Sequence, residues 1–396
     1  MSGSIDEARP LVARPGLAFA GVFAVTFFGL VAVGAVLPVL PRFIRGPLDA
    51  GNIAVGVVVG SYAITGLLLR PFAGRLADQR GRKPTVLIGS VLVAIGGFMY
   101  LLPLGVPGLI AARLVLGAGE GTVFTAGSAW IVDLAPVARR GRVIGLYGLA
   151  VWAGLSVGPL IGELLLQVSG YTLVWIFAGA APLCGALIAS RLPDPFQATP
   201  HPEEEQHALI EREAVRPGAA LALGSIGYGT MTAFVVLHLE SRGVGHGAAV
   251  FGAFATMVVL TRLIGGDLPD RVGPIRVAVA AAVVEAIGLT TIAIAHSLPV
   301  AIAGALAMGA AFSLLYPSLS LIVVSRVSDT RRGAALGTFT AFFDAGVGFG
   351  APLAGAAAAL SSYEGAFFLA AMIALFSAAT TAFVIAPRSQ PLLATH

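Results

Sequence analysis

Long apolar runs alternate with short polar clusters along this chain, and the lengths of the runs define its elements. No charge interrupts Leu17 to Pro41 or Pro84 to Ala112, and Val143 to Ser190 carries only Glu163. A helix needs about 20 apolar residues to cross a bilayer, so the first run holds one spanning helix and the third holds two. The second run has 29 residues, too few for two spans and a turn, yet it contains the turn sequence LLPLGVPG at 101–108. The fourth span therefore continues through Arg113 and Glu120 to about Asp133. Applied to the whole chain, the pattern predicts twelve helices, over 17–40, 52–73, 84–103, 109–132, 142–167, 171–190, 217–239, 246–265, 275–296, 299–324, 334–359 and 364–386. The fold class it implies is an all-α membrane protein of twelve transmembrane helices.

Composition agrees with a lipid solvent. The chain is 57% hydrophobic and 11% charged, with 51 glycines and a mean hydropathy of +0.91, outside the range of soluble domains. Of its 24 basic residues, 18 fall in the loops and tails on the side shared by both termini. Arg42, Arg45 and Arg242 fall on the opposite side, and Arg70, Arg113 and Arg262 lie within spans. The excess of Lys and Arg predicts that both termini are cytoplasmic, in a cell (inner) membrane. Topology thus accounts for the pI of about 9.6, and no nucleic-acid partner is called for. The single cysteine, Cys184, excludes an intramolecular disulfide and reads as a small core residue. The apolar run after the acidic start MSGSIDEARP is too long for a signal-peptide core, so the first span is expected to stay in the mature protein.

The charged stretch GRLADQRGRK, Gly74 to Lys83, has a counterpart 192 positions later. Arg70, Gly74, Asp78 and Gly81 correspond to Arg262, Gly266, Asp270 and Gly273. Arg140, Gly141, Gly145, Gly154 and Gly158 correspond to Arg332, Gly333, Gly337, Gly346 and Gly350. A constant offset without gaps indicates an internal repeat. The expected organisation is a six-helix bundle over 1–192, a cytoplasmic linker over 193–216 and a second six-helix bundle over 217–396. Parallel repeats of this kind imply a pseudo-two-fold axis along the membrane normal, a cavity between the halves and alternating access.

With these motifs in view, the chain resembles the major facilitator superfamily over essentially its whole length. The family's G-x-x-x-D-(R/K)-x-G-(R/K)-(R/K) signature reads here as Gly74, Asp78, Gln79, Gly81, Arg82 and Lys83, with Gln79 the departure. The fifth-span signature of its twelve-helix drug:proton antiporter branch reads as Gly145, Gly154, Gly158, Pro159 and Gly162, followed by Glu163 where a second glycine is usual. LPVLPRF at the end of the first span and RLVLGAGEG at Arg113 to Gly121 are similar to further motifs of that branch. The resemblance implies a latch: Asp78 would accept from the free N–H groups at the start of the eleventh span, near Gly333, and Arg82 would pair with Asp133. Gly74 and Gly81 would permit close approach and a tight turn. A basic loop that merely sets topology would account for the cations but not for Asp78 or the glycines. Asp270 and Arg271 belong to the second copy of this device, weakened because Pro274 and Ile275 replace the basic pair. The glycines of the fifth span form a packing face, which the resemblance sets against the eighth span and links to export.

Charged groups inside a span are costly and so are candidates for function. Arg113 and Glu120 share a face of the fourth span but stand about 10 Å apart at 1.5 Å per residue. Arg113 and Glu163 lie at similar depths and suggest an ion pair, either fixed or part of a proton relay. Asp344 and Glu285 fall near the middle of the eleventh and ninth spans. A carboxyl in apolar surroundings can bind and release a proton near neutral pH, which makes Arg113, Glu120, Glu163, Asp344 and Glu285 the proton-coupling candidates. Glu120 and Asp344 rank above Glu285, because the resemblance makes the ninth span peripheral. The substrate-cavity candidates are Phe27, Phe28, Phe124, Trp152, Tyr228 and Tyr316. These aromatics, in spans whose interiors offer no Asn and, beyond Gln167, no Gln, suit an amphipathic or apolar substrate better than a sugar. No GxxxxGK(S/T), HExxH or CxxC motif is present, so no cofactor, metal or enzymatic activity is expected. The leading reading is a monomeric, proton-coupled exporter of small compounds, its partners being substrate, protons and lipid. An importer or uniporter of a small metabolite is the alternative, and a non-transporting receptor the third.

Overall fold

The computed structural model describes residues 15–135, 140–192, 211–328 and 331–385. Its elements are α1 (Pro15–Val36), α2 (Val39–Arg45), α3 (Asn52–Arg80), α4 (Arg82–Met99), α5 (Gly105–Leu134), α6 (Arg140–Ser190), α7 (Arg212–Ser241), α8 (Ala248–Gly265), α9 (Leu268–Val272), α10 (Pro274–Ala293), α11 (Leu298–Val324), α12 (Arg332–Leu360) and α13 (Tyr363–Ala379), followed by a π-helical turn (Thr380–Ile385). An apolar solvent leaves no partner for free backbone groups, so every spanning element is helical. Among the described residues eleven stretches are long and apolar enough to cross a membrane. One of them, α6, contains two spans, because its backbone leaves helical geometry at Ser169 (φ −149°) and Gly170 (φ 70°). The total is the expected twelve.

Within the first half, α1 packs on α6, while α3 and α4 pack on α5; in the second, α7 packs on α12 and α13, while α10 and α8 pack on α11. The glycine stripe of α6 explains one of these contacts. A Cβ at Gly154, Gly158 or Gly162 would lie within 2.7, 2.6 and 2.0 Å of atoms of Leu30, Val31 and Ala35 on α1. The repeat positions Gly346 and Gly350 on α12 meet Ala222 and Ile226 of α7 in the same way. The glycine face of the fifth span therefore seals contacts inside one half. This corrects the expectation that it faces the eighth span: the face one step round, with Ser156 bonded to Thr256 at 2.7 Å, is the one that meets α8. Gly145 begins the same stripe, but its surroundings lie outside the described residues.

Several boundaries move. The first span breaks at Leu37 and Pro38 and resumes as α2. The seventh starts at Arg212, inside the expected linker, of which 193–210 lie outside the described residues. GRLADQRGRK is not a loop: α3 runs to Arg80, so Gly74 and Asp78 are helical and the whole turn is made at Gly81 (φ 103°). Gly273, its repeat partner, turns the chain at φ 104°. Those φ values favour glycine because a side chain there would clash with the backbone. Cys184 is exposed rather than buried, and an outward face toward lipid offers a small apolar residue no reason to be covered.

Candidate functional site

The two halves meet along α3–α12, α6–α8, α2–α7 and α3–α7. One end of this interface is named here for α2, and the other, carrying Gly81, Gly273 and most of the arginines, is the basic end. At the α2 end the seam is tight. Arg42 donates from Nη1 to Glu163 of its own half and from Nε to Glu240 of the other, each at 2.5 Å. Asn52 donates to the carbonyl of Ala358 at 3.1 Å and accepts from the Tyr363 hydroxyl at 3.2 Å. A Cβ on Gly56 or Gly60 would sit 2.4 Å from the carbonyl oxygen of Ala351 or Gly348. A cavity of about 310 Å³, lined in part by Asn52, His238 and Tyr363, remains beside this seam, where Arg242 pairs with Glu364 at 2.5 Å.

Midway along the interface a second cross-half pair forms. Arg70 of α3 donates from Nη2 to Oδ1 of Asp344 on α12 at 3.0 Å; its Nε lies equally close to Oδ2 but outside hydrogen-bond geometry. The guanidinium also covers the Phe124 ring, 5.5 Å from its centroid, and Glu120 lies one helical turn from Phe124 on the same face of α5. The repeat position Arg262 has no carboxylate to match Asp344, because the corresponding residue in the first half is Trp152. Its guanidinium lies near Gly148 of α6, and Nη1 would be 3.4 Å from a Cβ there.

Beyond Arg70 the partners separate towards the basic end. Among the described residues, a Cβ at Gly333 or Gly337 on α12 would meet no atom within 4 Å, and one at Gly74 would meet only Thr125 of its own half, at 3.9 Å. Asp78 bonds Arg82, one turn away, and Arg82 donates from Nε to Asp133 at 3.0 Å. Lys83 donates to the carbonyl of Leu192 at 2.8 Å. In the second copy Arg271 pairs with Asp267, and Asp270 is exposed. The structure therefore brings Asp78, Arg82 and Asp133 together but leaves Asp78 apart from the start of α12.

Other candidates fall differently from the expectation. Arg113 and Glu163 do not pair. Arg113 turns towards α3, donates to the Val59 carbonyl at 2.9 Å and stacks on Tyr62 at 4.6 Å, because α5 packs on α3 and only lightly on α6. Glu163 is claimed instead by Arg42, which arrives on the short α2. Glu285 is fully buried, and neither carboxyl oxygen has a hydrogen-bond partner among the described residues. It lies against α7, with Oε1 2.7 Å from the place of a Cβ on Gly227. Phe27 and Phe28 stack edge to face at 5.9 Å on α1, and Phe124 stacks on Tyr147 at 5.8 Å. Tyr316 bonds Thr340 at 2.8 Å. Trp152 and Tyr228 lie 6.1 Å apart across the interface. Arg42, Glu240, Asn52 and Arg70 were missed as interface residues. The signal that was available for Arg70 is its repeat partner, and for Asn52 its position as the lone amide opening a span.

With this geometry in hand, similar proteins are informative. A sequence model described as Major Facilitator Superfamily matches residues 22–284 and 247–395. An "uncharacterized MFS-type transporter" of Salmonella typhimurium is 32% identical over 366 residues, covering 90% of this chain and 94% of the relative. Another, of Pseudomonas aeruginosa, is 32% identical over 393 residues and covers 93% of both chains. Among solved structures, a mutant form of the nucleoside transporter NupG has a TM-score of 0.78 at 15% identity over 93% of this chain and 99% of that one. The human organic anion transporter MFSD10 has a TM-score of 0.68 at 17% identity over 93% and 100%. At these identities the structural likeness speaks for the fold.

Proposed function

The chain belongs to the Major Facilitator Superfamily, and from that premise we propose that it is a secondary active exporter that moves small amphipathic or hydrophobic compounds in exchange for protons by alternating access. The observation that carries this reading is the asymmetry of the interface: closed by Arg42, Glu163, Glu240 and Asn52 at one end, braced by Arg70 and Asp344 in the middle, and parted at the other. With both termini cytoplasmic, as the basic residues indicate, the parted end faces the cytoplasm and this is an inward-facing state. The moving bodies are the halves 1–192 and 217–396 of a monomer, tied by the linker.

In the opposite state the basic end closes. Asp78 then leaves Arg82 for the N–H groups at the start of α12, where Gly333 and Gly337 leave room for a close approach. Gly74 and Gly81 allow that approach, while Arg82, Lys83 and Asp133 hold the end of α3 in position; Asp270 and Arg271 brace the second copy more weakly. The proton is carried in the belt around Arg70. Asp344 bonds the Arg70 guanidinium, so a proton taken by Asp344 releases Arg70, leaves Glu120 as the remaining carboxylate of the belt and changes the hold across the halves. Glu163 acts in the closure of the α2 end rather than in the relay, and Glu285 in the packing of α7. The rings of Phe124, Trp152, Tyr228 and Tyr316 offer an apolar wall for substrate.

Vesicles containing the purified protein, with an imposed pH gradient and a panel of lipophilic cations, neutral drugs, nucleosides and sugars, test the proposal. The expected result is movement of lipophilic compounds against the flow of protons, abolished when the gradient is collapsed. Movement unaffected by collapse would reject proton coupling, and gradient-independent movement of nucleosides or sugars alone would favour a metabolite uniporter.

A further inference from the structure

Trp152 of α6 is a residue of the first half whose indole sits among three rings of the second: Tyr228 of α7, Phe254 of α8 and Phe312 of α11. All six centroid distances fall between 5.4 and 6.1 Å. The indole stands edge-on to every one of the three, at interplanar angles of 78°, 69° and 77°, the arrangement that ring quadrupoles favour. The three host rings also touch one another at 5.4 to 5.6 Å. Their contacts do not depend on Trp152, so they form a nest built by one half and filled by the other. Phe254 and Phe312 are buried at its floor, while Trp152 and Tyr228 are partly exposed at its mouth.

Two further observations give the nest a use. A short track of partly exposed rings leads to it on the basic-end side, Tyr316 to Phe343 at 6.1 Å and Phe343 to Phe312 at 5.9 Å, with the buried Phe339 backing Tyr316 at 5.2 Å. Trp152 also lies between two cross-half contacts of α6 with α8, Gly148 by Arg262 and Ser156 bonded to Thr256. Its seat in the nest is therefore part of the seam that keeps the α2 end shut.

We propose that Tyr228, Phe254 and Phe312 form a binding site for an aromatic ring of the transported compound, and that Trp152 fills this site as an internal stand-in until the compound displaces it. The assignment rests on the exporter reading above and names its substrate class: compounds carrying an aromatic ring, preferred over aliphatic compounds of the same charge and similar size. It also supplies the coupling. A ring arriving along the track replaces the indole, the contact between α6 and the second half is lost, and the α2 end is released to open. An aliphatic compound cannot make the three edge-on contacts and leaves Trp152 in place.

Tetraphenylphosphonium and tetrabutylphosphonium, equal in charge, are the probes. In the full-length protein with Trp130→Phe and Trp175→Phe, Trp152 is the only indole. Tetraphenylphosphonium is expected to shift its emission to the red as it leaves the nest, and tetrabutylphosphonium to leave the emission unchanged. Removing the stand-in by Trp152→Leu should tighten tetraphenylphosphonium binding about tenfold, and Phe312→Leu should weaken it about tenfold. Saturating tetraphenylphosphonium with no change in Trp152 emission, equal affinity for the two probes, no binding of either, or unaltered affinity in Trp152→Leu would each overturn the site. The emission shift is measured without a gradient, so it stands or falls separately from the vesicle assay, whose failure would reject the exporter reading instead.

Discussion

The Arg70–Asp344 pair is one of the contacts that join the halves, and its worth can be measured. The pair is partly exposed, with side-chain accessibilities of 26% for Arg70 and 10% for Asp344, so its desolvation cost is moderate and its geometry favourable. A double-mutant cycle with Arg70→Ala and Asp344→Ala, read by thermal unfolding in detergent, should give a coupling of about 1–3 kcal/mol. Additive effects of the two substitutions would show that the contact stabilises nothing. At this scale the sequence told which charges lie in the membrane but not how they pair. Spacing along one helix fixes a face; the partner depends on which helix covers that face. Arg113 was assigned to Glu163 by depth alone, and the packing of α5 on α3 sent it to Val59 and Tyr62 instead. Arg42 enters the sequence analysis only as a cation of the opposite side, because nothing in its own neighbourhood indicates that α2 carries it between two carboxylates of different halves.

Elements were far more legible, because a span in lipid must be both apolar and long. Even the break between the fifth and sixth spans falls in the expected gap, at Ser169 and Gly170. What the pattern could not give is where a polar stretch stays helical: Leu76 to Arg80 continue α3 since Leu, Ala, Gln and Arg are good helix formers, and Gly81 stops it. The glycines divide into two kinds on the same physical ground. Gly162 faces a carbonyl oxygen 2.0 Å from where a Cβ would be, whereas Gly333 faces nothing within 4 Å among the described residues. Gly162→Ala should therefore lower stability by about 1–3 kcal/mol through overpacking, seen as a lower unfolding midpoint and less monodisperse protein. Gly333→Ala should keep the midpoint and slow transport several-fold, since its space is used only when Asp78 closes on α12. Full transport by Gly333→Ala would count against that latch.

At the scale of the whole molecule, the repeat was written in the sequence and is visible in paired features: Gly81 with Gly273, and Gly154 and Gly158 with Gly346 and Gly350. The state of the molecule was not written there, because a sequence that alternates between two arrangements must encode both. The breaks in the repeat are where the asymmetry of function lies. Asp344 answers Arg70, but Trp152 stands where Arg262 would need an acid, and the first half reaches into the second with a ring instead of a charge. The account as a whole requires that the two ends of the interface open in turn. Spin labels on a Cys184→Ser background, at Pro47 and Ser241 for the α2 end and at Gln79 and Val272 for the basic end, report both distances in sealed lipid vesicles. On adding a transported compound with a lowered pH outside, the Pro47–Ser241 distance should lengthen while the Gln79–Val272 distance shortens. Both distances changing in the same sense, or neither changing while transport proceeds, would contradict alternating access between these halves.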